Sequence, residues 1–110
     1  MKPDLLREVL SLVRQIPRGR VSSYRAIACM LGNPSLSRVV GRNLGENPFP
    51  VIIPCHRVVK TDGSIGGFKY GVFRKKALLK SEGVSVRKDK VVDFKNIFFD
   101  DFTKTKLNTL

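Results

Sequence analysis

Apolar residues recur at three- and four-residue steps at Leu5, Leu6, Val9, Leu12, Val13 and Ile16, with Arg7, Glu8, Arg14 and Gln15 mostly off that line. That spacing predicts an amphipathic helix with one buried stripe, ended by Pro17, with Gly19 turning the chain. Ser23 is placed to cap a second helix through Tyr24–Leu31, which Gly32 stops. On it, Cys29 lies between Ala28 and Met30 and is expected in the core, where free cysteine is common. After the Asn33-Pro34 turn, Ser35 is expected to cap a third helix from Leu36 to Leu44, broken by Gly45 and Asn47-Pro48.

From Phe49 to Val59 the pattern changes to a proline-punctuated apolar run, Pro50-Val51-Ile52-Ile53-Pro54-Cys55-His56-Arg57-Val58-Val59. Thr61-Asp62-Gly63-Ser64 is a turn signal, so Val58–Lys60 and Ser64–Ile65 are expected to form a small hairpin. A last helix is predicted over Val72–Ser81, with Phe73, Ala77 and Leu78 turned inward and Arg74-Lys75-Lys76 on a solvated face. The segment with Val91, Val92, Phe94, Ile97, Phe98, Phe99 and Phe102 is too apolar for disorder and is expected to pack on the domain, with fraying final residues. The fold class expected is therefore mainly α: a winged-helix-like helix-turn-helix domain with a small β-hairpin and an apolar C-terminal tail. In such a unit the second helix, here carrying Arg38, Arg42 and Asn43 beside the small Gly41, enters a nucleic-acid groove. Two ordinary packed helices would give the same pattern.

Composition narrows this picture. A chain of 110 residues has room for one domain, read as 1–83 followed by a tail at 84–110. Its 21 Lys and Arg against 9 Asp and Glu leave a formal charge of +12, which suits a polyanion such as nucleic acid. No apolar run reaches the roughly 20 residues of a membrane helix. Met1-Lys2-Pro3-Asp4 lacks the apolar core of a secretory signal, so an intracellular, cytoplasmic location is expected. Two cysteines, Cys29 and Cys55, and one histidine, His56, exclude a disulfide framework and leave no set for a zinc site; neither metal nor cofactor is expected.

The candidate chemistry lies at Cys55. A cysteine attacks as its thiolate, which an adjacent base or positive charge favours; His56 and Arg57 are both at hand. Pro-Cys-His-Arg alone is a weak motif. Its surroundings strengthen it: Val21-Ser22-Ser23-Tyr24, Ser37-Arg38-Val39-Val40-Gly41, Asn47-Pro48-Phe49-Pro50, Ile53-Pro54-Cys55-His56-Arg57-Val58-Val59 and Leu78-Leu79-Lys80-Ser81-Glu82-Gly83 follow in order. Together, across about residues 5 to 83, these segments resemble the DNA-binding, active-site domain of the O6-alkylguanine-DNA alkyltransferases.

The resemblance implies a single-use DNA repair protein, in which Cys55 accepts an alkyl group from O6 of guanine and keeps it as a thioether. A bridging water, His56 and Glu82 would form the relay behind Cys55, and Tyr24 would donate a proton to the minor-groove edge of the ring. Asn47 would tie the helix-turn-helix to the active-site loop. Pro50, Val58, Phe68, Lys69 and Lys75 would surround the substrate, with backbone groups near Cys55, Val58 and Lys69 bonding the base. Arg38 would fill the gap left by the flipped nucleotide. Ser37, Gly41 and Arg42 would meet the minor groove together with Tyr24, with Gly41 permitting close approach. The implied partner is double-stranded DNA containing O6-alkylguanine, bound by a monomer, with no membrane.

Family members usually carry a further N-terminal α/β domain, which these 110 residues do not include. Phe68 stands where a tyrosine is common, and Lys69-Tyr70-Gly71 where small residues usually lie; Tyr70 can thereby narrow the pocket or reach the nucleic acid. Two other readings stay open. Alkyltransferase-like proteins bind the lesion without removing it and usually replace the cysteine, whereas a helix-turn-helix regulator would carry Cys55 incidentally. Taken one at a time, each assignment also has a plainer reading: Tyr24 as a core aromatic, Asn47 as a turn residue before Pro48 and Glu82 as a solvated acid near a helix end.

Overall fold

A computed structural model of the chain describes residues 3–103. Helix α1 spans Pro3–Val13, and Val9, Leu12, Val13 and Ile16 are buried on the expected stripe. The helix ends before Pro17: its last turn tightens to three-residue bonds, Gln15 N–H to Leu12 O (3.0 Å) and Ile16 N–H to Val13 O (3.1 Å), a common way to satisfy terminal carbonyls.

Helix α2 covers Tyr24–Met30, and Ser23 Oγ accepts the Ala26 N–H at 2.9 Å, the cap expected from the sequence. Gly32 stops it in the left-handed region at φ +98°, and Asn33 N–H returns to Ala28 O (3.2 Å). The buried face of α2 is Ile27 and Ala28. Cys29, about 100° further round the helix, is exposed, contrary to the core position expected for it. Ser35 does not cap the next helix either. Asn33 Oδ1 accepts Ser35 N–H at 3.0 Å and starts a 3-10 turn over Pro34–Leu36, because Pro34 presets φ for the first position after an Asx cap. Helix α3 then runs Ser37–Gly45 without a side-chain cap.

The strands are short. Ser22–Ser23 (β1) pairs in parallel with Val58–Val59 (β2), in register Ser22↔Val58 and Ser23↔Val59. The expected hairpin of 58–60 with 64–65 is thus replaced: Val58 and Val59 pair with β1, since both are fully buried and need partners on a covered sheet. The turn itself forms, with Lys60 N–H to Ser64 O at 2.8 Å and Gly63 at φ +89°. Helix α4 spans Val72–Ser81, but its inward face differs from expectation. Lys75 and Leu79 are buried, Phe73 is 84% exposed, Ala77 is exposed and Leu78 half-buried. The helix is rotated toward Lys75 because that amine finds buried carbonyl acceptors.

Beyond Gly83 the chain folds back over the domain. Val86–Arg87 (β3) and Lys90–Val91 (β4) form an antiparallel hairpin, and a one-turn helix, α5, covers Phe94–Ile97. Phe98 then bridges Val21 in parallel, with Val21 N–H to Ile97 O at 3.1 Å and Phe99 N–H to Val21 O at 2.7 Å. Arg20 binds the Phe98 carbonyl at 2.6 Å and lies over the Phe99 ring. Phe99 and Phe102 rest on the core built by α1, α2 and α3. The fraying expected at the end of the chain concerns residues 104–110, outside the described residues. No helix among the described residues is long and apolar enough to cross a membrane.

Candidate active site

Cys55 opens a 3-10 turn over Cys55–Arg57 whose preceding residue is Pro54. Proline fixes its own φ and brings no donor, so the turn is held at its entrance. The sulphur-bearing residue is 5% exposed and His56 fully buried. His56 Nε2 meets Glu82 Oε2 at 3.0 Å, while its Nδ1 is buried without a hydrogen-bond partner; the imidazole therefore makes no direct bond to the thiol. Arg57, read from the sequence as a positive charge beside Cys55, turns away from it. Its Nε donates to Glu82 Oε1 (2.9 Å), its Nη2 to Glu82 Oε2 (2.7 Å) and its Nη1 to Ile16 O (2.7 Å). The fork-on-carboxylate geometry is the strong form of this contact.

The electrostatics follow from this packing. Burial pulls the His56 pKa below 6.5, opposed by its bond to Glu82 and assisted by Arg57 and Lys75. Burial pushes the Glu82 carboxyl up, but the bonds from Arg57 and His56 outweigh it and hold the carboxyl below the usual range. The result is a neutral imidazole aligned by a permanent carboxylate.

A cavity of ≈ 410 Å³ opens onto Cys55 and is lined by Tyr24, Gly41, Leu44, Gly45, Gly67, Phe68 and Lys69 as well. Burial, and then the neighbouring Cys55, raise the Tyr24 pKa above 10, keeping the phenol a proton donor. Behind it Lys75, fully buried, donates from Nζ to Val58 O (2.7 Å) and Gly67 O (3.0 Å), with Tyr24 Oη at 3.4 Å. It is thus no part of a solvated face. Burial lowers its pKa to about 7, against the opposing pull of Cys55. Asn47, also fully buried, donates from Nδ2 to Ile53 O (2.9 Å) and accepts Phe49 N–H at Oδ1 (2.9 Å), bridging both limbs of the loop before Cys55.

Comparison with known proteins decides the family. The profile described as "6-O-methylguanine DNA methyltransferase, DNA binding domain" matches residues 4–84. The chain belongs to that family. It is 46% identical over 80 residues to the "Methylated-DNA--protein-cysteine methyltransferase" of Methanothermobacter thermautotrophicus, covering 73% of this chain and 44% of the relative. To the protein of the same name in Homo sapiens it is 42% identical over 78 residues, 70% of this chain and 38% of the relative. The chain thus spans less than half the length of these methyltransferases. Among solved structures, Mycobacterium tuberculosis OGT in complex with DNA aligns with TM-score 0.71 at 39% identity, over 74% of this chain and 51% of that one. S. pombe Atl1 in complex with damaged DNA containing O6-carboxymethylguanine aligns with TM-score 0.74 at 29% identity, over 90% of this chain and 98% of that one.

Within this methyltransferase-family domain, some of the residues singled out in the sequence line one or more of three cavities and others line none. Tyr24, Gly41, Cys55, Phe68 and Lys69 share the Cys55 cavity. Ser37 and Arg38 join Tyr24, Gly41, Lys60 and Gly67 around a second, shallower cavity of ≈ 290 Å³. Pro50 and Tyr70 line a third, ≈ 370 Å³, on the other side of Phe68, so Tyr70 does not narrow the space at Cys55. Val58 lies off the cavity wall, its carbonyl held by Lys75. Arg42 is exposed, but Asn43 is buried with Nδ2 on Val39 O (3.0 Å) and does not share the α3 face expected for it. Sequence reasoning missed the clamp of Arg57 on Glu82 and the presence of Lys60 beside Arg38. The only signal for the first was a guanidinium next to His56, and for the second a lone lysine before a turn.

Proposed function

We propose that this protein repairs DNA by transferring an alkyl group from O6 of guanine to Cys55, once per molecule. The observation that carries this reading is a buried cysteine on a cavity wall, with the Tyr24 phenol on the same cavity and a neutral His56 held by Glu82 and Arg57 behind it. His56 takes the thiol proton, through a bridging water between Nδ1 and the sulphur. The thiolate attacks the alkyl carbon, forming the S–C bond as the C–O6 bond breaks. Tyr24 supplies a proton to the ring, so guanine leaves neutral, and the Lys75 amine beside the phenol steadies the charge left on its oxygen. The thioether has no easy hydrolysis route, which makes the protein single-use.

The partner on this reading is double-stranded DNA containing O6-alkylguanine, met by a monomer inside the cell. α2, the 3-10 turn and α3 act as a winged-helix-like helix-turn-helix, with α3 in the minor groove. A Cβ at Gly41 would meet Tyr24 ring atoms only at an ordinary 3.9 Å, so packing within the domain does not demand glycine there, and on this reading the bare backbone serves close approach to the groove. Arg38, exposed at the start of α3, fills the stack when the nucleotide rotates out, at an unstacking cost of a few kcal/mol. Ser37 and Arg42 meet the sugar-phosphate edges; Phe68 and Lys69 border the flipped base, while Pro50, on the far side of Phe68, does not. The almost end-to-end match to Atl1 favours a second reading, binding of the lesion without transfer.

Intact mass after incubation with a duplex containing O6-methylguanine separates them. The expected result is a gain of one methyl group that maps to Cys55 and is lost in Cys55→Ala. Lesion-selective binding with unchanged mass overturns transfer in favour of the second reading, and equal affinity for damaged and undamaged duplex points to a helix-turn-helix regulator.

A further inference from the structure

The β3–β4 hairpin lies outside the residues matched by the family profile and carries Arg87, Lys88 and Lys90, all exposed. Its register, Arg87↔Lys90, leaves Lys88 and Asp89 as a two-residue turn, and both have positive φ, +49° and +62°. That is the signature of a type I′ turn, which favours Asn or Gly at both places. A lysine at the tip is held there against its backbone preference. Asp89, next to both lysines, is neutralised by an ion pair with Lys76, so among the described residues the cations at the tip are matched locally only by Asp62 across the adjoining turn.

The hairpin is fastened to the turn that follows β2. Ile65 N–H donates to Asp89 O and Val91 N–H to Gly63 O, both at 2.9 Å, and Ser64 bridges Lys90. The same turn begins at Lys60, which lines the cavity shared by Arg38 and Ser37. A basic path therefore runs from α3 through Lys60 to the hairpin tip.

We infer that the β3–β4 hairpin is a second DNA contact, gripping backbone phosphates beside the groove that α3 occupies. It rests on the DNA-binding reading above and deepens it: α3 approaches bases, while the hairpin reads charge alone. Phosphate contacts of this kind release counterions and add about 0.9 to the salt slope for each one.

The test is duplex affinity of the full chain as a function of NaCl, on undamaged and O6-methylguanine duplexes. Replacing Arg87→Gln, Lys88→Gln and Lys90→Gln together is expected to lower the slope of log K against log salt by about 2 to 3, equally on both duplexes. The affinity lost between about 50 and 200 mM salt then shrinks roughly 40-fold. Lys88→Asn suits the turn better than lysine, so it lowers the slope by about 1 while the melting temperature holds or rises; this separates a lost contact from a damaged fold. An unchanged slope overturns the inference, as does an equal drop from Arg7→Gln, Arg14→Gln and Lys95→Gln, exposed cations on α1, just after it and on α5. Because the undamaged duplex is read independently, failure of methyl transfer to Cys55 leaves this result interpretable.

Discussion

Two polar regions of the domain are built on opposite terms. Behind Cys55, His56, Arg57 and Glu82 are tied to one another by bonds of 2.7 to 3.0 Å at side-chain exposures of 15% or less. On α3, Arg38 and Arg42 are exposed and take part in no ion pair among the described residues. The first arrangement lowers the reorganisation needed during a reaction, since dipoles and charges already point the right way. The second keeps its charges solvated until a polyanion displaces water and counterions. On the proposed reading, chemistry falls to groups whose partners are internal, and recognition to groups whose partner arrives from outside.

Cutting the internal network should have the largest effect. Glu82→Gln removes the anion that Arg57 and His56 share, leaving a guanidinium in a partly buried site. Transfer to Cys55, followed by quenched-time mass spectrometry, is expected to slow by about 10²- to 10⁴-fold. Chemical denaturation should show a loss of about 3 kcal/mol. If the Glu82→Gln variant behaved like wild type in both, the network would be ornamental.

Lys75 tests a different edge of the same region, through pH. In the unfolded chain its amine stays protonated up to about 10.5, whereas in the fold it does so only below about 7. Between those values the unfolded state binds more protons, so this group makes stability rise with pH and fall as pH drops toward 7. A rise of a few kcal/mol across that window is expected for the wild type. It should be absent from Lys75→Met when melts are compared at both ends of the window; equal pH profiles would mean the buried amine keeps its charge.

The smallest effect is expected on the other side of the comparison. Arg38→Ala should leave stability within about 0.5 kcal/mol, as for exposed sites generally, yet weaken lesion-duplex binding by roughly fivefold, about 1 kcal/mol. Fluorescence anisotropy and a thermal melt together check this. A large loss of stability would show that Arg38 belongs to the folded core instead.

Legibility in the sequence follows the range of the interaction. The α1 stripe, the Ser23 cap and the Gly32 stop depend on residues within a turn or two, and each is readable. The inward face of α4 is not, because Phe73 outweighs Lys75 on any hydrophobic scale until the carbonyls of Val58 and Gly67 are known to wait for the amine. Cys29 and Asn43 depart from expectation for the same reason: residue type suggests a side, and helix phase decides it. The pairing of Ser22–Ser23 with Val58–Val59 joins segments over thirty residues apart, and neither segment announces its partner. At the site, the motifs name Cys55, His56, Glu82 and Tyr24, but the destination of Arg57 depends on where α1 ends and where Glu82 sits.

That small parallel pairing has a further consequence for how the protein can change. Tyr24 follows β1 directly and the Cys55 turn precedes β2 directly, so their mutual placement is set by two residue pairs and not by the long path between them. Lengthening or shortening the exposed stretch around Val51 and Ile52 leaves that alignment intact. A single insertion between Arg57 and Val58 slips the register and turns each buried valine outward. Descent with variation is thus open in the loop and nearly closed in four residues of sheet.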